Sequence, residues 1–305
     1  METKKKKSIS QRGDFIFHCA LLIWPLLQFA VFYIGVNINS LAMAFKGDNG
    51  LTFEHFKFLF SNAMLPSVLK SVRTSVLFYV VNTVISLPLA LLFAYYIFKK
   101  LWGAKLFRMF LFLPSIVSAM VMVVLFHKFT DVALGDILED LFGIRPSFLP
   151  LINSTKYSSY ATILFFYIWT NFGTTTLIYS NKMSELSPEV LEAAQLDGAT
   201  SSQEFFRIVL PFAYPTVSTF VVTGVATIFT NQYNLFSFYG SSIGFDPGTL
   251  GYYFFANIQD VTGKADWNNV IFNRYAALSI VVTLFLVPIT LGVRRALEKF
   301  GPSEE

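Results

Sequence analysis

Two groups of residues in this chain have the types and the spacing to do more than hold a fold. The first lies in Ser187–Pro215, S-P-E-V-L-E-A-A-Q-L-D-G-A-T-S-S-Q-E-F-F-R-I-V-L-P-F-A-Y-P, a polar, helix-forming interruption between two strongly apolar runs. Ser187 is placed to cap a first helix, with Pro188 at its first position and Glu189 in its first turn. That helix is expected to reach about Leu196, where Asp197-Gly198 supplies a turn, because glycine tolerates φ > 0. Ser201 with Glu204 three residues later reads as a capping box for a second helix through Phe205, Ile208 and Leu210. Pro211 and Pro215 then bend or restart the chain.

The second group is a pair of polar stripes on apolar runs. Tyr167, Asn171 and Thr174 recur at i, i+4, i+7 and share one helical face, with Trp169 beside them. Thr223, Thr227, Thr230 and Asn234 recur at i, i+4, i+7, i+11 on a later run, whose end is made more polar by Asn231, Gln232 and Tyr233. Neutral hydroxyl and amide groups beside aromatic rings suit an uncharged, hydroxyl-rich ligand such as a sugar. An anionic ligand would call for Arg or Lys, and neither stripe holds one. The competing reading is that small polar residues glue helices together, and residue by residue the two readings stay open.

Other chemistry is thin. His18 and His127 have no third ligand at helical spacing and read as hydrogen-bonded structure rather than a metal site. The single cysteine, Cys19, excludes an intrachain disulfide or a cysteine metal cluster. The chain has no G-x-x-x-x-G-K-[S/T] loop and so does not hydrolyse ATP by that route. Asp136, Glu139 and Asp140 form an acidic stretch, read first as a solvated face and second as a docking patch.

The elements that must position these groups follow from composition. Of 305 residues, 54% are hydrophobic and 14% charged, against roughly 25% charged in soluble domains; mean hydropathy is +0.55. This is the composition of an integral membrane protein. Six apolar runs, about Phe15–Val36, Thr74–Phe98, Met109–Phe126, Ser158–Ser180, Phe212–Phe238 and Tyr275–Val293, approach the roughly 20 residues needed to cross a bilayer. The first is too long for a signal-peptide core and no small-residue cleavage site follows it, so it reads as a retained span. Met109–Phe126 is short and holds Pro114. The fold class is therefore all-α and polytopic, with a helix pair between the fourth and fifth spans.

Lys and Arg set the orientation. With the N-terminus inside, inner segments hold fourteen of them and the longer outer segments nine, which places both termini and Ser187–Leu210 in the cytoplasm. The net charge of +4 is orientation charge, with no nucleic-acid footprint. None of the six spans so drawn contains Asp, Glu, Lys or Arg, which disfavours a proton-coupled carrier. Energy for pumping must then come from outside the membrane.

Glu192-Ala193-Ala194, Asp197-Gly198-Ala199, Phe205, Ile208 and Leu210-Pro211 fit E-A-A-x-x-D-G-A-x-x-x-x-x-F-x-x-I-x-L-P. This resembles the cytoplasmic EAA loop of ABC importer permeases. The D-G-A form is similar to the carbohydrate-uptake branch, of the maltose and glycerol-phosphate permease type. Lys4–Lys7 and Arg12 mark a basic tail at 1–14, expected to be without structure, and the resemblance implies a permease domain at 15–295 with its coupling loop at 187–211 and a second tail at 296–305. It implies that the loop's short helices enter a groove of a separate ATP-binding subunit. Ala193 and Ala194 then allow close approach, Glu192 offers a carboxylate, Gly198 permits the corner, and Phe205 and Ile208 present apolar anchors. It further implies a second permease subunit, usually non-identical, two ATP-binding subunits carrying ATP and Mg, and an extracellular solute-binding protein, with no cofactor on this chain. Related sugar permeases place ligand contacts in the fourth and fifth spans, although W-T-N-F-G here departs from the maltose-type pattern. The expected function is the membrane subunit of a sugar or oligosaccharide importer. The alternatives are an ABC permease for a polyamine or anion, and an ion-coupled secondary carrier.

Overall fold

The computed structural model describes residues 2–47, 50–144, 156–241, 248–262 and 269–302. Among the described residues, five helices are long and apolar enough to cross a membrane, and a bent helix pair makes the sixth candidate span. The described strands are one two-residue hairpin, Lys46–Gly47 paired antiparallel with Gly50–Leu51. The chain divides into two compact units.

The first unit comprises Met1–Met64 and Asn268–Val281. Its first span runs Ile16–Ala44, and none of its most apolar window is buried. A helix apolar all round and uncovered by its own chain is one made for lipid or a partner. The basic tail, expected to be without structure, is instead helical from Glu2, because extending an existing helix costs far less than nucleating one. The span also outruns its expected end at Val36 through a π-helical stretch, Phe29–Gly35, and a last segment Val36–Ala44.

The second unit comprises Leu65–Trp267 and Val282–Glu305. The second span, Leu65–Phe98, and the fourth, Ser159–Met183, form its centre. The helices overshoot the apolar runs at their ends, so Lys70 and Arg73 lie on the second span's helix. The third span corrects the expectation of one continuous helix: it is two, Ala104–Ile116 and Ala119–Phe142, meeting at 100°. Pro114 removes a backbone donor one turn before the break, and Val117 and Ser118 are extended, with ψ of 140° and 132°. The first half lies close against the fourth span at Gly173, where a Cβ would sit 1.9 Å from the Leu111 carbonyl oxygen.

Two apolar clusters hold this unit. One gathers Ala90, Ala94, Tyr179, Met183, Phe205 and Val209 at the end of the bundle carrying 184–209. The other gathers Phe78, Ile163, Tyr233, Leu235 and Tyr252 toward the opposite end of the same helices. The acidic trio falls on the helix Leu134–Phe142, while residues 145–155 beyond it lie outside the described residues. His127 pairs with Asp131 at 3.0 Å and His18 Nδ1 bonds the Asp14 carbonyl, both local structural roles.

An exposed corner helix and an interrupted fifth span

The Ser187–Pro215 stretch folds as a helix, a corner and a second helix. Pro188–Leu196 starts at an extended Ser187 with proline in its first turn. Ser187 makes no capping bond; its hydroxyl donates to the Glu189 carboxylate at 3.3 Å. Gly198 takes φ +77°, and two bonds close the helix end. Ala199 N–H donates to the Ala194 carbonyl at 2.9 Å and Gly198 N–H to the Gln195 carbonyl at 3.1 Å. This is the six-to-one, five-to-two pattern that lets a helix turn sharply.

The next cap sits one residue earlier than expected. Thr200 Oγ1 accepts from Gln203 N–H at 3.3 Å, and Gln203 Oε1 accepts from Thr200 N–H at 2.8 Å. The capping box is therefore Thr200 with Gln203, in place of Ser201 with Glu204. Glu204 is committed elsewhere. Only 3% exposed, it accepts from Lys99 Nζ at 2.9 and 3.0 Å and from the Tyr95 hydroxyl at 3.0 Å. The second span thus grips the corner through a buried ion pair. Sequence reading missed Lys99, Tyr95 and this role of Glu204, because a pair separated by more than a hundred residues leaves no local pattern.

Phe205 also departs from expectation. Rather than anchoring a partner it is buried, its ring 5.0 Å from Tyr95. The π-helical turn Phe205–Val209 shifts the face by a residue, so the exposed ring is Phe206. Ile208, Leu210 and Pro211 are half-buried, and Leu210 packs on the cluster around Tyr179. Glu192, Ala193, Asp197 and Gly198 are exposed, with Ala194 and Ala199 partly so. Beside them Leu196 is 89% exposed. The corner therefore offers an apolar knob, two small residues and a carboxylate.

The fifth span, expected as one helix Phe212–Phe238, ends at Ala226. The Thr223–Asn234 stripe is not one helical face. Thr227–Thr230 form turns, and Tyr233 and Asn234 take φ of +50° and +59° before a short helix Leu235–Tyr239. Two successive left-handed residues, one a bulky aromatic, persist only when surroundings dictate them. Here the surroundings are specific. Asn231 Nδ2 donates to the Tyr167 hydroxyl at 2.8 Å, and Asn231 Oδ1 accepts from Tyr233 N–H at 2.9 Å. The Tyr167 and Tyr233 rings lie 4.5 Å apart. Thr249 Oγ1 donates to the Asn231 carbonyl at 3.0 Å, and Leu250 N–H donates to Ser75 Oγ at 2.8 Å. Gly251 completes the clamp, since a Cβ there would stand 2.5 Å from the Thr230 carbonyl oxygen.

The structure thus brings Tyr167, Asn231 and Tyr233 together. Tyr167, Asn171 and Thr174 keep a common face of an unbroken helix, with Asn171 and Thr174 exposed. Asn171 bonds the Tyr167 carbonyl at 2.9 Å. Trp169 is not with them. Two residues on, it points to the other side of the helix and meets Phe126 and Phe166. The hydroxyls of Thr223, Thr227 and Thr230 donate to the carbonyls of Thr219, Thr223 and Thr227 at 2.8, 2.9 and 3.1 Å. Their protons are spent, so toward a ligand they act as acceptors. Asn234 is half-buried in its left-handed turn. At 1.5 Å per residue, Tyr167 lies about 24 Å along its helix from Met183, and Thr227 about 25 Å from Leu210. The interruption and the polar stripe therefore share a depth in the bundle, far from the corner.

Comparison with known proteins agrees with this geometry. Residues 86–303 match the family described as "binding-protein-dependent transport system inner membrane component". A protein of Mycoplasma pneumoniae described as a probable ABC transporter permease is 25% identical over 248 residues, covering 79% of this chain and 70% of that one. The arabinooligosaccharides transport system permease protein AraP of Halalkalibacterium halodurans is 23% identical over 283 residues, covering 88% of this chain and 85% of that one. The fold matches a chain in the crystal structure of a bacterial ABC transporter involved in the import of the acidic polysaccharide alginate, with a TM-score of 0.78, 19% identity, and coverage of 97% of this chain and 99% of that one. The chain belongs to the family of inner membrane components of binding-protein-dependent transport systems, the non-catalytic permease subunits of ABC transporters.

Proposed function

We propose that this permease imports a sugar or oligosaccharide, taking it past the interrupted fifth span and drawing its energy through the corner helix. The observation that carries the substrate class is the Asn231–Tyr167 bridge. It places an amide and a phenol at the interruption, beside threonine acceptors, in stretches 167–174 and 223–234 that hold no Asp, Glu, Lys, Arg or His. Such groups exchange hydrogen bonds with sugar hydroxyls without having to neutralise charge. The arabinooligosaccharide relative supports the same class.

In this reading both termini and the corner face the cytoplasm. Pro188–Leu196 seats in an ATP-binding subunit, with Leu196 and Ala193 at the contact. Two such subunits carry ATP and Mg, a second permease completes the pathway, and an extracellular solute-binding protein delivers the ligand to the opposite face. Closure of the ATP-binding pair displaces the corner, and the Lys99–Glu204 pair passes that displacement to the second span. The spans then rock between inward-open and outward-open states.

The test is reconstitution of all components in liposomes with labelled neutral oligosaccharides. ATP-dependent uptake that requires the binding protein is expected, with Asn231→Ala weakening uptake while leaving assembly intact. Gradient-driven uptake by this chain alone, without ATP, would overturn the reading, and so would uptake confined to polyamines or inorganic anions.

A further inference from the structure

In the first unit a cavity of about 460 Å³ opens beside the hairpin, lined by Lys46, His55, Lys57, Phe58, Asn273 and Arg274. We propose that it binds the phosphate of an anionic phospholipid headgroup. Among the described residues, three cations and one carboxylate, Glu54, line its walls. None of Lys46, Lys57 and Arg274 forms an ion pair among the described residues. Concentrated positive charge with so little internal compensation is a receptor for an anion.

The cavity is built, not incidental. The Lys46 carbonyl accepts from His55 Nε2 and from Asn273 Nδ2, each at 2.9 Å. This ties the hairpin strand to both the short helix Glu54–Leu59 and the start of the last helix. His55 and Asn273 are themselves buried. The Arg274 guanidinium carbon lies 3.6 Å from the centre of the Phe58 ring. Stacking fixes the guanidinium plane and leaves its N–H edge for oxygens. A planar donor fork matches a phosphate bidentately, and the lysines add point charges.

Position selects the lipid as source. Lys46 follows the end of the first span at Ala44 by two residues, and Val270 opens the last span. The cavity therefore stands at the level where hydrocarbon meets headgroups. Its surroundings are apolar and uncovered: Leu51 at the hairpin is 90% exposed, and Phe53 and Phe60 are also exposed. Side chains of that kind suit the acyl boundary and gain nothing from open water.

The full chain, purified in a neutral detergent, would be titrated with phosphatidylglycerol, phosphatidylcholine, inorganic phosphate or glycerol phosphate, reading its thermal unfolding midpoint. Phosphatidylglycerol is expected to raise the midpoint and the other three to leave it near its starting value. Lys57→Gln should weaken apparent lipid affinity about fivefold, and Lys57→Gln with Arg274→Gln about 25-fold. Lys105→Gln, outside the cavity, should match the parent. If the Arg274 variant fails to fold, Lys46→Gln with Lys57→Gln removes two exposed charges at the same site and should show the same loss. Equal affinity of parent and cavity variants would overturn the site. Equal effects of the two phospholipids would do the same. An equal rise with inorganic phosphate or glycerol phosphate would overturn the lipid as its occupant.

Discussion

Consider replacing Lys99 with methionine. Glu204, 3% exposed, accepts three hydrogen bonds, two of them from Lys99 and one from Tyr95. Without Lys99 a carboxylate is left buried with one phenol as company. Breaking a buried pair on one side costs about 3–5 kcal/mol. Lys99 keeps 23% exposure, so some solvent reaches the pair and about 3 kcal/mol is the fitting end of that range. Glu204→Leu strands the lysine instead, but a lysine can swing toward water, so its loss is smaller, about 1–2 kcal/mol. Lys99→Met combined with Glu204→Leu removes both charges and should cost about 1 kcal/mol or less. The double-mutant cycle then closes with a coupling energy of about 3 kcal/mol. Unfolding in mixed micelles titrated with a denaturing detergent measures it. In reconstituted complex, Lys99→Met is expected to insert and bind partners while transport falls and ATP hydrolysis no longer responds to ligand. Additive single effects, to within about 0.5 kcal/mol, would refute the buried pair as what joins the corner to the second span.

Three other outcomes are expected. Gly198 has φ of +77° with open space around it, so Gly198→Val fails through backbone strain of about 1–2 kcal/mol. Uptake should collapse with normal insertion, while Gly198→Asn, which tolerates that conformation, should retain most of it. Gly173→Ala would drive a methyl to 1.9 Å from the Leu111 carbonyl oxygen, so size-exclusion profiles should show loss of folded protein, whereas Gly292→Ala, with nothing within 4 Å, should be silent. Asn231→Ala removes the bonds to the Tyr167 hydroxyl and to Tyr233 N–H. At about 1 kcal/mol for each such bond, the loss should lower stability by about 2 kcal/mol, and the KM for uptake should rise because the Tyr167 hydroxyl and the turn at Tyr233 lose their positioning partner. Asn171→Ala, whose amide bonds only within its own helix, should change it far less.

Much of this was legible from residue order, and the failures share one cause. Gly198 announced its turn because no other residue takes φ of +77° at so little cost, and the six apolar stretches follow from composition. The cap did not resolve. Thr200 with Gln203 and Ser201 with Glu204 satisfy the same local rule, and the choice between them is made by Lys99, far away in sequence. Phe205 was expected as an anchor from the loop's resemblance, but a π turn leaves Phe206 as the exposed ring. The stripe through Thr227 to Asn234 ran on in periodicity after the helix had stopped, with no glycine or proline between Thr227 and Asn234 to mark the end. That end is dictated by Tyr167, Ser75, Thr249 and Gly251, contacts that a single stretch of sequence does not contain. Pro114 did flag trouble in the third span, yet the chain breaks at Val117–Ser118, after the helix has used its remaining turn.

Several of the long-range contacts that escaped the sequence meet on one element. Near one end of the helix Leu65–Phe98, Ser75 Oγ accepts from Leu250 N–H, and the Tyr79 hydroxyl donates to the Val221 carbonyl at 3.0 Å. Gly224 lets that ring in, since a Cβ there would stand 2.7 Å from it. Near the other end, Tyr95 and Lys99 hold Glu204. Ser75 and Lys99 are about 36 Å apart along the helix. One continuous helix therefore grips the corner at one end and the interruption of the fifth span at the other. In the coupling proposed above, a push on Glu204 is passed along this helix toward Ser75, with Pro88 between them as the one place where its hydrogen-bond ladder lacks a donor. The fifth span's own helical ladder stops at Ala226, and beyond it the left-handed Tyr233 donates its N–H to Asn231 Oδ1 while the Asn234 carbonyl accepts from Phe238 N–H. Under that proposal, motion at the corner becomes a change of shape beside Tyr167 and Asn231. That requires no ionisable group within the membrane, consistent with the uncharged stretches from which the energetic argument began.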